Sequence, residues 1–270
     1  MNSDLSSPRP RTRLVLPAIA LWKREVVRFL RQRNRIIGAL ATPIVFWLLI
    51  GSGASSVFRP EGLAAGTTYL AYFFPGTVML ILLFTAIFST ISVIEDRREG
   101  FLQGVLVAPV SPSAIVLGKF LGGTTLAVMQ AALFCAAAPL AGLPLDATVA
   151  LRLLPALVLV AFGLVGLGFL VAWPLESTQG FHAIMNVFLM PLWLLSGALF
   201  PAAADSWTRF AVLVNPVAYG TAAVRRAFYG DGVDFPLLPS YGEAMAACGI
   251  FAAVMFVLCV LMVRLRRRAG

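Results

Sequence analysis

GLAAGTTYLAYFFPGTVMLILLFTAIFSTISVI, residues 62–94, contains no Asp, Glu, Lys or Arg and runs directly into the charged cluster EDRREG at 95–100. Such a stretch exceeds the about 20 residues that a helix needs to cross a bilayer. Lipid offers the backbone no water, so the chain there must be regular helix. Outward from it, further charge-free runs occupy 36–58, 120–145, 153–175, 177–204 and 244–263. The run 210–224 is shorter and is interrupted by Asn215-Pro216, which disfavours helix before the proline. The pattern predicts an all-α integral membrane protein with six transmembrane helices near 36–57, 70–94, 115–140, 152–174, 182–200 and 244–263. A re-entrant outer segment over 201–240 is expected between the fifth and sixth.

Composition excludes the alternatives. The 270 residues are 60% hydrophobic and 12% charged, against about 45–50% and about 25% in soluble domains. The net charge of +9 comes from 21 Lys+Arg against 12 Asp+Glu. Sixteen of the 21 basic residues fall before the first span, in the 95–119 loop and in the tail, and five in the alternate loops. That asymmetry is the positive-inside signal, so both termini are expected in the cytoplasm and no nucleic acid is expected as a partner. The organisation that follows is a basic segment 1–35, a membrane domain 36–263 and a basic tail 264–270 whose arginines anchor the topology. The first apolar run begins only at Ile36, so the first span is expected to remain in the mature protein. Before it, Val15, Leu16, Ile19, Trp22, Val26, Phe29 and Leu30 recur mostly at steps of three and four, with Lys23, Arg24, Arg28 and Arg31 on other faces. This predicts an amphipathic helix on the inner leaflet of the lipid bilayer.

Catalytic and ligand-binding signatures are sparse. His182 is the one histidine, Cys135, Cys248 and Cys259 have no metal-ligand spacing, and Gly118-Lys119 lacks the first glycine and the closing Ser/Thr of a phosphate loop. No catalytic residue, metal site or cofactor is therefore expected in this chain. The central parts of the spans hold no ionisable residue, whereas a proton- or cation-driven carrier usually carries one there. Gln130 suits either an interhelical hydrogen bond or a substrate contact. Thr178, His182 and Asn186 share a helical face if the fifth helix starts early, which leaves a wetted vestibule and a capped helix entrance both open. Arg225-Arg226 suits either an outer gate or a lipid headgroup.

The 95–119 loop, EDRREGFLQGVLVAPVSPSAIVLGK, joins five charges to a short apolar set, Phe101, Leu102, Val105 and Leu106, before Pro109 and Pro112. Apolar side chains so spaced on a short helix suit a groove on another protein. With Glu95, Glu99-Gly100, Leu102, Leu106, Pro109-Val110-Ser111 and Leu117-Gly118-Lys119, the loop resembles the first cytoplasmic loop of ABC transporter permeases of the type-2 exporter class. The run Met190-Pro-Leu-Trp-Leu-Leu-Ser-Gly-Ala-Leu-Phe-Pro201, followed by Asn215-Pro216, resembles the other hallmark of that class.

The resemblance covers essentially the whole chain and implies a half-transporter. Two permease subunits, as a homodimer or heterodimer, would work with two copies of an ABC ATPase (nucleotide-binding) subunit that holds ATP and Mg. Glu95, Arg98, Glu99, Gly100, Phe101, Leu102 and Leu106 would form the ATPase-coupling region within 95–113, with Trp22, Arg24 and Arg28 of the interfacial helix as a second contact. Gln130, Asn186, Pro191, Trp193, Ser196, Asn215 and Pro216 would shape the translocation path or its gate. The competing expectation is an ATP-independent channel or gradient-driven carrier, which predicts flux without ATP or a partner.

Overall fold

The computed structural model describes residues 14–31, 33–54, 67–199, 208–232 and 238–269, and the regular elements among them are helices. They run α1 (Val15–Leu30), α2 (Arg33–Gly53), α3 (Tyr69–Ser89), α4 (Ile91–Arg98), α5 (Phe101–Val107), α6 (Pro112–Cys135), α7 (Ala147–Ala172), α8 (Thr178–Leu194), α9 (Thr208–Val214), α10 (Pro216–Tyr229) and α11 (Tyr241–Ala269). Four runs are long and apolar enough to cross a membrane: Tyr69–Arg98, Pro112–Cys135, Ala147–Ala172 and Tyr241–Arg267. The expected spans 36–57 and 182–200 correspond to shorter elements, an apolar run Ile37–Gly53 in α2 and the 17-residue α8. Residues 55–57 and 200 of those expected spans lie outside the described residues.

α3 is the axis of the bundle, packing against α2, α6, α7, α8 and α10. Its Tyr69, Tyr72, Phe73, Phe74, Val78 and Met79 are all buried, and 83% of the apolar window in Tyr69–Arg98 is enclosed by protein. In α11 that share is 28%, which leaves a flank with Ile250, Val254, Val257 and Leu261 exposed. α3 gives way to α4 at a bend around Thr90. There Ser89 Oγ donates to Ala86 O (2.7 Å) and Thr90 Oγ1 to Ile87 O (2.6 Å), hydroxyl back-bonds that loosen the helical ladder.

The first helix forms over the expected residues, and besides its exposed apolar positions it has a buried seam of Ala18, Leu21, Glu25 and Phe29, of which Ala18, Leu21 and Glu25 meet α6. The reason is a pair of small residues on the partner. A Cβ at Gly118 would sit 2.6 Å from Leu21 Cβ and 2.9 Å from Ala18 O, and one at Gly122 would sit 2.6 Å from Glu25 Cβ. Close approach of the two helices is therefore written into α6, and Val15, Leu16, Ile19 and Leu30 remain exposed on the far side.

The segment read as re-entrant forms two short helices, α9 and α10, with residues 201–207 and 233–237 outside the described residues. Asn215-Pro216 breaks the chain between them as its chemistry requires: Asn215 Oδ1 accepts from Val217 N (2.9 Å) and Pro216 opens α10, where its missing N–H costs nothing. α10 is 14 residues long and buries Val217, Ala218 and every residue from Gly220 to Phe228.

Candidate functional site

The charged end of the molecule is built where α1, α4 and α6 meet. Ser111 caps α6 by accepting from Ala114 N (3.1 Å), and Pro112 starts the helix, so Lys119 sits two turns inside α6 rather than in a loop. Its ammonium is buried and donates to Glu25 Oε1 (2.6 Å), Asp96 Oδ2 (2.5 Å) and Ser92 Oγ (3.1 Å). Asp96 is fully buried and also accepts a two-pronged contact from Arg24 (2.7 and 2.9 Å) and one from Arg28 (3.0 Å). Arg28 reaches Glu95 (2.8 Å) and, at 3.5 Å, Glu99. The hydrogen bond to Asp96 raises the Arg24 guanidinium above its ordinary pKa against the opposing effect of its partial burial. Three cations thus meet Glu25, Glu95 and Asp96 across three helices, and a charge buried this deeply holds only while its partners stay in place.

The chain leaves this junction through Glu99 and Gly100. Gly100 has φ 77°, a left-handed turn that glycine adopts without strain, and it redirects the chain from α4 into α5. α5 turns its apolar side largely toward the chain's own core. Leu102 is buried in the core, Phe101, Val105 and Leu106 pack against that core, and Arg24 lies 3.8 Å above the Phe101 ring. A seven-residue helix with one apolar face gains more from covering its own bundle than from waiting for a groove. The residues left outward are Arg98, Glu99, Gln103, Gly104 and Val107. Of the expected coupling residues, Arg98 and Glu99 therefore face out, while Glu95, Phe101, Leu102 and Leu106 hold the element in place. Trp22 also faces inward, donating to Thr125 Oγ1 (3.0 Å).

Asp96, Lys119 and Glu25, the buried members of the junction, are not among the expected site residues, although Ser111-Pro112 is a legible helix start that puts Lys119 inside α6. Glu25 continues the four-residue step Leu21, Glu25, Phe29 of a buried seam, a carboxylate at an apolar position.

A cavity of about 480 Å³ opens between α1, α2, α3 and α8, within the range of ligand pockets, about 300–1,000 Å³. Its walls include Phe46, Phe84, Phe88 and Met190 with Thr42, Thr85, Ser89 and His182, and among the described residues no charged side chain lines it. α8 does start early, at Thr178 under a Ser177 cap, and places His182 and Asn186 on its exposed side. α8 buries only Phe181, Met185, Leu189 and Trp193, one residue per turn. Pro191 is exposed as well.

The other expected path residues lie within packing. Gln130 Oε1 accepts from Thr85 Oγ1 (2.5 Å) behind the cavity wall, the interhelical bond of the two readings. Trp193 donates to Gly76 O (2.8 Å), Ser196 donates to Trp193 O (2.6 Å), and Asn215 Nδ2 donates to Leu192 O (2.6 Å). Pro216 opens α10. Arg225 and Arg226 are buried against protein carbonyls and do not present themselves to headgroups.

A family model described as ABC-2 type transporter matches residues 18–229, a range that holds the charged junction and the whole cavity wall. Nodulation protein J of Sinorhizobium fredii (strain NBRC 101917 / NGR234) is 26% identical over 259 residues, covering 91% of this chain and 94% of its own. The putative transport permease ycf38 of Cyanophora paradoxa is 25% identical over 83% of this chain and 78% of its own. The probable multidrug ABC transporter permease YbhR of Escherichia coli (strain K12) is 28% identical over 54% of this chain and 40% of its own.

Proposed function

Because the chain belongs to the ABC-2 type transporter family, we propose that it is the transmembrane permease subunit of an ATP-binding-cassette exporter. It works as one of two permease copies, identical or different, with two ATPase subunits that bind ATP and Mg and carry out all hydrolysis. In this reading the chain crosses the plasma (inner) membrane six times, α2 and α8 supplying the two crossings beyond the four long runs, with both termini cytoplasmic. The observation that carries the coupling assignment is the charged junction itself. It ties α1, α4 and α6 into one piece and leaves Arg98 and Glu99 as the outward charges beside a turn that a partner can push. ATP-driven closure of the ATPases displaces this element and switches the bundle between inward- and outward-open forms.

Substrate enters the apolar cavity beside α8. Its uncharged aromatic and aliphatic walls with a few hydroxyls suit an amphipathic or lipid-linked molecule, such as a drug, a lipid or a lipid-borne oligosaccharide. Asn186 and Pro191, exposed on α8, face the path or the second permease copy, since an amide in mid-span is costly against lipid.

The test is co-expression with an ABC ATPase. The wild-type chain co-purifies with it, and Glu99→Arg, which places a cation where the partner meets a carboxylate, loses that association while its thermal unfolding is unchanged. If Glu99→Arg retains full association and substrate flux persists without ATP, the coupling reading fails and a carrier replaces it.

A further inference from the structure

Resting on that reading of α4–α5 as the coupling element, we propose that Arg267 is a positioning residue that fixes the exit of α5 onto the α7–α11 pair. A displacement of the element by its partner then moves that pair. The sequence suggested only a topology anchor for the tail arginines, and α11 lies outside the residues matched by the family model.

The geometry begins with length. α11 has 29 residues, about 43 Å at 1.5 Å per residue, against a hydrocarbon core of about 30 Å. The helix is thus longer than a span requires, and its last turns lie beside the exit of α5. There the Arg267 guanidinium forks: Nη1 donates to Val110 O (2.5 Å) and Nη2 to Ala108 O (2.7 Å). These carbonyls flank Pro109, which has no N–H to offer, at the point where Ala108 turns extended (ψ 154°) and ends the helix. A planar fork is the side chain suited to two acceptors a fixed distance apart.

The entrance of the element is tied to the same body. Arg97 on α4 donates to Leu175 O (3.2 Å) and to Trp173 O, just beyond the end of α7. α7 and α11 pack along one another, and the two ties bracket α5 from both sides. The element is thus held to α1 and α6 by ion pairs, to the end of α7 by the Arg97 guanidinium, and to α11 by its own carbonyls at Ala108 and Val110.

The test uses the full chain in lipid nanodiscs with nitroxide labels at Val107→Cys and Leu265→Cys, positions that are 85% and 65% exposed. Cys135, Cys248 and Cys259 are buried and do not compete for label. The expected distance distribution is single and narrow, becomes broad in Arg267→Ala, and is partly restored in Arg267→Lys, whose ammonium serves one carbonyl at a time. A narrow distribution in Arg267→Ala overturns the proposal. A second label pair, Val187→Cys with Ile250→Cys, reads transmission in the complex with an ABC ATPase. ATP shifts this distance in the wild type, and the shift is lost in Arg267→Ala although the ATPase still co-purifies. Persistence of the shift overturns the proposal even if the first pair broadens, because Arg267 then serves structure alone. The first pair is measured without any ATPase, so failure of the coupling reading, seen as association retained by Glu99→Arg, is distinguishable from failure here.

Discussion

The two ends of the bundle hold their buried cations in opposite ways. At the end that carries α5, Lys119, Arg24 and Arg28 meet carboxylates contributed by other helices. At the other end, Arg225 is fully buried with Nη2 on Gly197 O (3.0 Å) and its guanidinium 4.4 Å from the Tyr72 ring centre. Arg226 beside it reaches Pro239 O, Asp231 O and Leu238 O, each at 3.3 Å, with the Asp231 carboxylate at 4.0 Å. Carboxylates on helices make a joint between rigid bodies. Carbonyls in irregular backbone make a clasp that holds a loop to one helix. The first arrangement fixes three helices to one another, the second fixes irregular backbone to α10.

The sharpest test of the contrast is Lys119→Met. It leaves Glu25 and Asp96 buried with the bridging cation gone, and removing one partner from a buried ionic group costs about 3–5 kcal/mol. Thermal unfolding in detergent or nanodiscs is expected to show that loss. The double variant Lys119→Met with Glu25→Gln should recover at least about 1 kcal/mol, because the carboxylate left with only the longer Arg24 contact (3.5 Å) is gone as well. A loss below about 1 kcal/mol would mean that the cluster is wetter than its geometry says, and the joint would dissolve.

Arg225→Met is expected to cost less, about 2 kcal/mol, from the loss of its charge-assisted bond to Gly197 O and of its contact with the Tyr72 ring. Arg225→Lys should recover little, since an ammonium cannot lie flat on Tyr72 while reaching Gly197 O. An effect equal to that of Lys119→Met would erase the distinction between clasp and joint.

The same contrast explains what could be read from the sequence. Long apolar runs such as 62–94 announce themselves because lipid imposes one backbone solution, and the breaks at Gly100 and Asn215-Pro216 are local chemistry. Counting charges places helices but does not pair the charges within them. Lys119 and Glu25 each lie inside an expected helix, but the partner that offsets the cost of burying each is 94 residues away, and no local pattern reveals it. The apolar side of α5 raises the same question. Phe101, Leu102, Val105 and Leu106 define a face by spacing, but whether that face meets its own core or another protein is decided by tertiary packing. Arg267 reads as a topology signal by position, and only the fold shows its two carbonyl acceptors.

The smallest expected effect separates the joint from the surface it presents. Glu99 is 59% exposed at its side chain and meets Arg28 at 3.5 Å, while Arg28 keeps Glu95 at 2.8 Å and Asp96 at 3.0 Å. An exposed pair of this kind contributes at most about 0.5 kcal/mol, because water and salt screen it and two long side chains must be held still. Glu99→Gln should therefore leave thermal unfolding within about 0.5 kcal/mol of the wild type. A loss above about 1 kcal/mol would place Glu99 inside the joint with Asp96, and its carboxylate would no longer be free to meet an ATPase.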